Sequence, residues 1–408
     1  MIATKATTAD KFSISNAAPY NVALGWCLLL FALVSPAFLA LSHAPAGVVF
    51  ALLEEQRAFE ARTMIALLGI WLLALSPILR QYCLPSEKQA VVCLIAWGSL
   101  FCAAGYACSS RSSATVWLIV LGAIVNLAVW IELVKRVWTQ RASYGRRIAL
   151  AMIFFGLLLI TATALAQIHA EVFQFTLLGA EDGFTWRTLR LARVAAIALP
   201  LLTLFYEEVA DFDRVPRRLA AFGYLMMLCG TFAMATLLVG AGVILPELKT
   251  LLAIPSIATF IAVLCGFVLA RMHASRLETW GWLLIALSLA AGLLMGLYAF
   301  ADGWLTLDYP GEYSDYARRV IRFAHADCVV IGFAAILAAR TPGVENTRLL
   351  RASAQLLLLG GIVTIAAPLF ILLAHGASVL SSVGPALATV AILLYLAAKY
   401  RWPDPSRR

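Results

Sequence analysis

Hydrophobic residues in this chain run in long unbroken stretches, not in the short alternations that mark soluble sheets and amphipathic helices. Twelve stretches approach the roughly 20 mostly apolar residues that a bilayer core requires. They are approximately 22–40, 63–79, 91–107, 115–134, 149–166, 189–206, 219–238, 251–270, 280–299, 320–339, 354–374 and 379–398. The longest connections, around 42–60, 169–187 and 301–318, are too short to hold a soluble domain. The pattern predicts an all-α polytopic membrane protein, a single membrane domain over 1–408 with twelve transmembrane helices. Pro77, Pro200 and Pro255 fall inside stretches, where each predicts a kink.

One stretch breaks the pattern. RRVIRFAHADCVVIGFAAILAAR, residues 318–340, is a membrane helix whose first third carries Arg319, Arg322, His325 and Asp327. At about 1.5 Å of rise per residue, His325 lies roughly 7–8 Å below the outer boundary and Asp327 roughly 10 Å. An ionisable group at that depth costs on the order of 3 kcal/mol unless it faces protein, water or a cofactor. Asp327 is too short to snorkel, so the polar third of this helix is expected to face inward, against the second and sixth helices. Gly332, Ala334 and Ala335 would let neighbouring backbones come close.

Composition agrees with the membrane reading and adds an orientation. Of 408 residues 62% are hydrophobic and 13% charged, and mean hydropathy is +0.89. With both termini inside, 21 Lys and Arg lie on inner segments and 10 on outer ones. That bias predicts N-in, C-in topology, as in a bacterial inner (cytoplasmic) membrane. The net charge of +9 is therefore topogenic. Membrane lipids are the expected partners, and nucleic acid is not. The first helix follows Lys5 and Lys11 as a signal peptide would, and SHAPA is loosely cleavage-like. It is kept as a helix because the repeat below needs it. Eight cysteines, none in a CxxC pair, read as small apolar filler.

A four-helix unit recurs. RTLRLARVAAIALPLLTLFY (187–206) parallels RVIRFAHADCVVIGFAAILA (319–338): both open Arg-x-x-Arg-apolar-Ala-basic after an outer loop of acids and aromatics. The inner loops that follow also correspond, VPRRLAAFGYLMMLCG (215–230) with NTRLLRASAQLLLLGG (346–361), and EEQRAFEARTMIALLGI (54–70) is a fainter first copy. Arg57, Arg187 and Arg319 are spaced by 130 and 132 residues. The expected internal repeats are approximately 20–136, 147–272 and 278–400.

Twelve helices in three fours, with His325-Ala-Asp327 near the outer end of the tenth and Gly332 after it, resemble the heme-copper oxidase catalytic subunit superfamily. The resemblance implies a pseudo-threefold bundle. In that family the second helix supplies a heme-ligating histidine, the tenth carries His-x-His, and the sixth and seventh supply copper ligands. The second, sixth and seventh helices here contain no histidine, Arg193 occupies the first histidine-like slot of the sixth, and Asp327 replaces the second histidine of the tenth. The resemblance then implies a relative that has lost the binuclear centre, with copper not expected and one heme at most. His325 would be its iron ligand, with Met64 or His375 as a second axial group and Arg319 or Arg322 near the propionates.

Helical geometry separates the candidates. Arg318, Arg322 and His325 share one face at i, i+4 and i+7. Asp327, two residues past His325, lies about 200° round the helix at roughly 100° per residue. It is expected to pair with an arginine, Arg193 foremost, in a network with Arg190 and Arg187. Such arginine forks equally suit carboxylates, phosphates and lipid headgroups. The inner acidic run Glu207, Glu208, Asp211 and Asp213 reads as a solvated loop or partner contact. The chain carries no HExxH, GxSxG or P-loop motif, so catalysis is not expected of it alone. The functional expectation is a subunit of a membrane redox or respiratory complex, alongside other subunits such as cytochromes, binding one heme or a quinone or acting as scaffold. The alternative is a solute or ion transporter with a buried Arg/Asp/His pathway.

Overall fold

The computed structural model describes residues 19–42, 61–74, 85–108, 115–140, 142–173, 178, 183–210, 215–300, 316–340, 348–373 and 380–399. The described residues form twelve α-helices, one short 3-10 helix and no strand. The helices are α1 (Pro19–Ser42), α2 (Ala61–Ala74), α3 (Pro85–Cys108), α4 (Val116–Thr139), α5 (Tyr144–Phe173) and α6 (Phe184–Val209). They continue with α7 (Arg217–Val243), α8 (Ala253–His273), α9 (Arg276–Phe300), α10 (Tyr316–Ala339), α11 (Arg348–Leu373) and α12 (Leu380–Lys399). Each coincides with one apolar stretch, and half of them run past it at both ends, because a polar flank can stay helical in the membrane interface. Eight are long and apolar enough to cross a membrane.

Burial ranks the helices. Met64 to Ala74 of α2, Ala196 to Tyr206 of α6 and Val330 to Ala338 of α10 are buried without a break. A helix buried all round has neighbours on every side. The outer helices show the opposite pattern: on α4, Trp117, Leu121, Ile124, Ile131 and Trp138 form an exposed apolar stripe at helical spacing, suited to lipid.

From α3 onward each helix packs on the next in sequence, and α12 returns to α1. Further contacts join α1 to α3, α5 to α7 and α9 to α11, and others join α6 to α8 and α10 to α12. Trp71 on α2 meets Trp130 on α4 with ring centroids 4.8 Å apart. Polar side chains inside this packing find partners across helices. Trp130 Nε1 donates to the Leu150 carbonyl at 2.8 Å, and the Thr203 and Thr231 hydroxyls meet at 2.7 Å.

Backbones come closest where glycine faces glycine. Between α9 and α10, a Cβ on Gly281 would fall 2.8 Å from the Gly332 carbonyl oxygen, and one on Gly332 would fall 2.9 Å from that of Gly281. Gly25 and Gly69 bring α1 and α2 together in the same way. Ala334 and Ala335 are buried beside Gly332, as their size suits. The expected kink at Pro255 has no such basis. Residues Pro246–Leu252 form the 3-10 helix, so Pro255 falls in the first turn of α8, where its missing N–H breaks no helical bond. Pro200 does lie inside α6, and Pro77 is outside the described residues.

Gly332→Val should destabilise the protein by about 1–3 kcal/mol through overpacking against Ile285 and the α9 backbone. Thermal unfolding in detergent checks this. Gly69→Val should behave alike at the α1–α2 contact.

Candidate functional site

The polar third of α10 faces other helices. Arg62, in the first turn of α2, donates from Nη2 to Asp327 Oδ1 at 2.8 Å, with both side chains about nine-tenths buried. The expected partner, Arg193, is elsewhere: its Nη1 donates to Thr163 Oγ1 on α5 at 3.1 Å. Depth along the helices made Arg193 plausible, but a side chain's partner depends on the rotation of its helix, and α6 turns Arg193 toward α5. Arg62 escaped notice because it sits at the polar edge of its apolar stretch, where an arginine reads as a loop residue.

His325 points away from Asp327, as the two-residue offset requires, and packs on α9. Its Nδ1 lies 2.7 Å from the Ser288 carbonyl and 2.9 Å from Ser288 Oγ, while Ser288 Oγ donates to the His325 carbonyl at 2.6 Å. A carbonyl can only accept, so Nδ1 carries the ring proton and Nε2 keeps its lone pair. The ring edge lies against Gly292, where a Cβ would fall 2.6 Å from His325 Cε1. Glycine at 292 is thus what lets the imidazole lie flat on α9.

The other candidates are dispersed. Met64 is buried in the core on α2. Arg322 is half-buried and engaged in contacts of its own, as are Arg190 and Arg187 on α6. His375 lies outside the described residues, as does the side chain of Arg319. Asp327, Arg193, Arg190 and Arg187 therefore do not form the expected charge-pair network through an Asp327–Arg193 bond. The polar third of α10 lies against α2 and α9, and α10 meets α6 lower down, where Phe333 and Phe205 have ring centroids 5.7 Å apart.

A second cluster, at the other end of α10, went unread in the sequence. Arg340 donates from Nη1 to Glu208 Oε2 at 2.5 Å, from Nη2 to Glu278 Oε1 at 2.6 Å and from Nη2 to the Phe205 carbonyl at 3.1 Å. Its guanidinium also stacks 5.0 Å from the Phe205 ring centroid. One arginine thereby joins α6, α9 and α10. Beside it, Glu207 accepts from Ser143 Oγ at 2.5 Å, Tyr224 Oη at 2.7 Å and Arg146 Nε at 3.1 Å, joining α5, α6 and α7. The run expected to be a solvated acidic loop thus begins with two structural carboxylates, because α6 extends far enough to bring both glutamates into the bundle. Asp211 and Asp213 lie outside the described residues.

Among the described residues no group of three or more His, Cys, Asp or Glu could hold a metal ion. The heme implied by the family resemblance would be held by His325 with Met64 or His375: His325 Nδ1 is engaged by Ser288 on α9, Met64 is buried in the core on α2, and His375 lies outside the described residues. His325 retains a free lone pair on Nε2, but its visible contacts are all with α9.

Fold and site together define an integral membrane protein, helical throughout its described elements, with buried ion pairs toward both ends of one central helix. No family model, curated protein or solved structure matches the chain.

Arg62→Met should cost about 3–5 kcal/mol by stranding a buried carboxylate, and adding Asp327→Leu should recover much of that loss. Adding Arg193→Leu to Asp327→Ala should change stability only by as much as Arg193→Leu does in the wild-type background, with no coupling between the two sites. Unfolding midpoints of these variants decide the pairing. At the inner cluster, Arg340→Lys should lose stability despite keeping the charge, since an ammonium cannot span Glu208 and Glu278 as the fork does. Arg340→Met should lose more.

Proposed function

We propose that this chain is a non-catalytic scaffold subunit of a redox or respiratory assembly in a bacterial inner membrane. Its plan would be a degenerate form of the heme-copper oxidase catalytic subunit: twelve spans in three four-helix units, with both termini inside. The observation that carries this reading is the period of four in the helix contacts. First and third helices of each unit touch (α1–α3, α5–α7, α9–α11), and so do second and fourth (α6–α8, α10–α12, and α2–α4 through Trp71 and Trp130). The three second helices, α2, α6 and α10, hold the continuous buried runs. Glu208 and Arg340, which pair at the inner ends of α6 and α10, are 132 residues apart, the same offset as Arg187 and Arg319.

Where a heme would link the second and tenth helices, the Arg62–Asp327 pair links them directly. The chain then supplies a rigid membrane platform, and electron carriers belong to partner subunits such as cytochromes. Purification in a mild detergent should recover the chain with a heme-bearing partner, whereas the chain isolated in a harsher detergent should show no Soret band. A Soret band in the isolated chain that His325→Ala abolishes would replace this proposal with the one-heme version. Recovery as a lone chain under every mild condition would remove the assembly claim. Reporter fusions at Ser143 and Arg408 should read cytoplasmic and one at Gly311 external.

A transporter reading has one observation in its favour. Arg62–Asp327 toward the outer end and Arg340–Glu208–Glu278 toward the inner end place a breakable ion pair on each side of α10, as alternating gates would need. Cysteines placed beside each pair would then change accessibility in opposite senses when a substrate is added. In a scaffold neither would change.

A further inference from the structure

Arg193 is a cation with no counter-charge among the described residues. It sits four residues inside the apolar stretch that opens at 189, roughly 6 Å below the outer boundary at about 1.5 Å per residue. Its one hydrogen bond among the described residues goes to Thr163 Oγ1, and its Nε is buried with no partner. No carboxylate among the described residues pairs with it. Thr163 balances no charge, and its own hydroxyl proton is donated to the Leu159 carbonyl at 2.7 Å. Among the described residues four of the five N–H donors of this guanidinium are therefore uncommitted, on a charge that lies inside the apolar stretch.

The surroundings indicate what would complete the site. Leu158 and Leu165, exposed apolar side chains on α5 either side of Thr163 in sequence, face lipid, so a ligand held at this level of the helix brings apolar substance with its charge. Arg193 itself is half-buried, hence reachable. Arg190, one turn outward on α6, adds positive field along the approach while holding partners of its own, and Gln167 lies one turn outward of Thr163 on α5. A planar fork matches an oxyanion through two parallel hydrogen bonds.

We propose that the outer seam between α5 and α6 binds the oxyanion headgroup of an amphiphile, a phosphodiester or a carboxylate, on the fork of Arg193 beside the Thr163 hydroxyl. The site is separate from the Arg62–Asp327 pair and does not depend on the assembly role above. An anion there neutralises the charge left by the fold, and its acyl portion lies along the apolar flank of the seam.

The test uses the full chain, stripped of lipid in an uncharged detergent and titrated separately with phosphatidylglycerol, oleate, inorganic phosphate and diacylglycerol. Binding is followed by native mass spectrometry and by the thermal midpoint. Wild-type protein should bind and be stabilised by phosphatidylglycerol or oleate and not by diacylglycerol. Saturation by inorganic phosphate would identify a free anion as the source of the same chemistry. Arg193→Met should abolish the effect, and Arg193→Lys should weaken binding by about tenfold or more, the loss expected for a charge-assisted bond. The midpoints should also cross: without ligand Arg193→Met should match or exceed wild type, and with ligand wild type should lead. Oxyanion binding that survives Arg193→Met, or the absence of binding by all three anions, would overturn the proposal. If Arg193→Met fails to fold, Arg193→Lys and Thr163→Val give the same comparison.

Discussion

A carboxylate buried some 10 Å into a membrane helix must be neutralised where it stands, because its side chain is too short to reach water. Asp327 meets that constraint through Arg62, and much of the arrangement around α10 follows. The pair sets the rotation of α10 so that Asp327 faces α2. The two-residue offset then turns His325 onto α9, where the Ser288 carbonyl accepts the Nδ1–H hydrogen bond and Gly292 leaves space for the ring. With its polar third committed on two sides, α10 has to be a central helix.

The far end of α10 obeys the same rule with a different solution. Arg340 holds Glu208 and Glu278 together, and its stacking on Phe205 gives the guanidinium an aromatic face as well as two anions. Next to it Glu207 gathers Ser143, Arg146 and Tyr224. Between these polar ends the helices meet through glycine, alanine and hydroxyl groups. In a bilayer apolar side chains gain nothing by leaving lipid for protein, so close packing and satisfied polar groups must supply the association. The ion pairs therefore carry orientation, and the small residues carry proximity.

The membrane class, the twelve helices and their approximate limits were legible in the sequence, because the hydrophobic requirement of a bilayer is a one-dimensional property of each segment. The inward orientation of the polar third of α10 was legible too, since it follows from side-chain length and depth. The partners were not. Arg62 and Arg193 were both arginines on outer-leaflet helix ends, and only the relative rotation of α2, α6 and α10 decided that one meets Asp327 while the other meets Thr163. Likewise Glu207 and Glu208 looked like a solvated run until α6 was seen to carry them into the bundle. Charge and hydropathy fix how deep a residue lies along its own helix; which residue it faces depends on the azimuth of two helices at once, and that is settled only by packing them together.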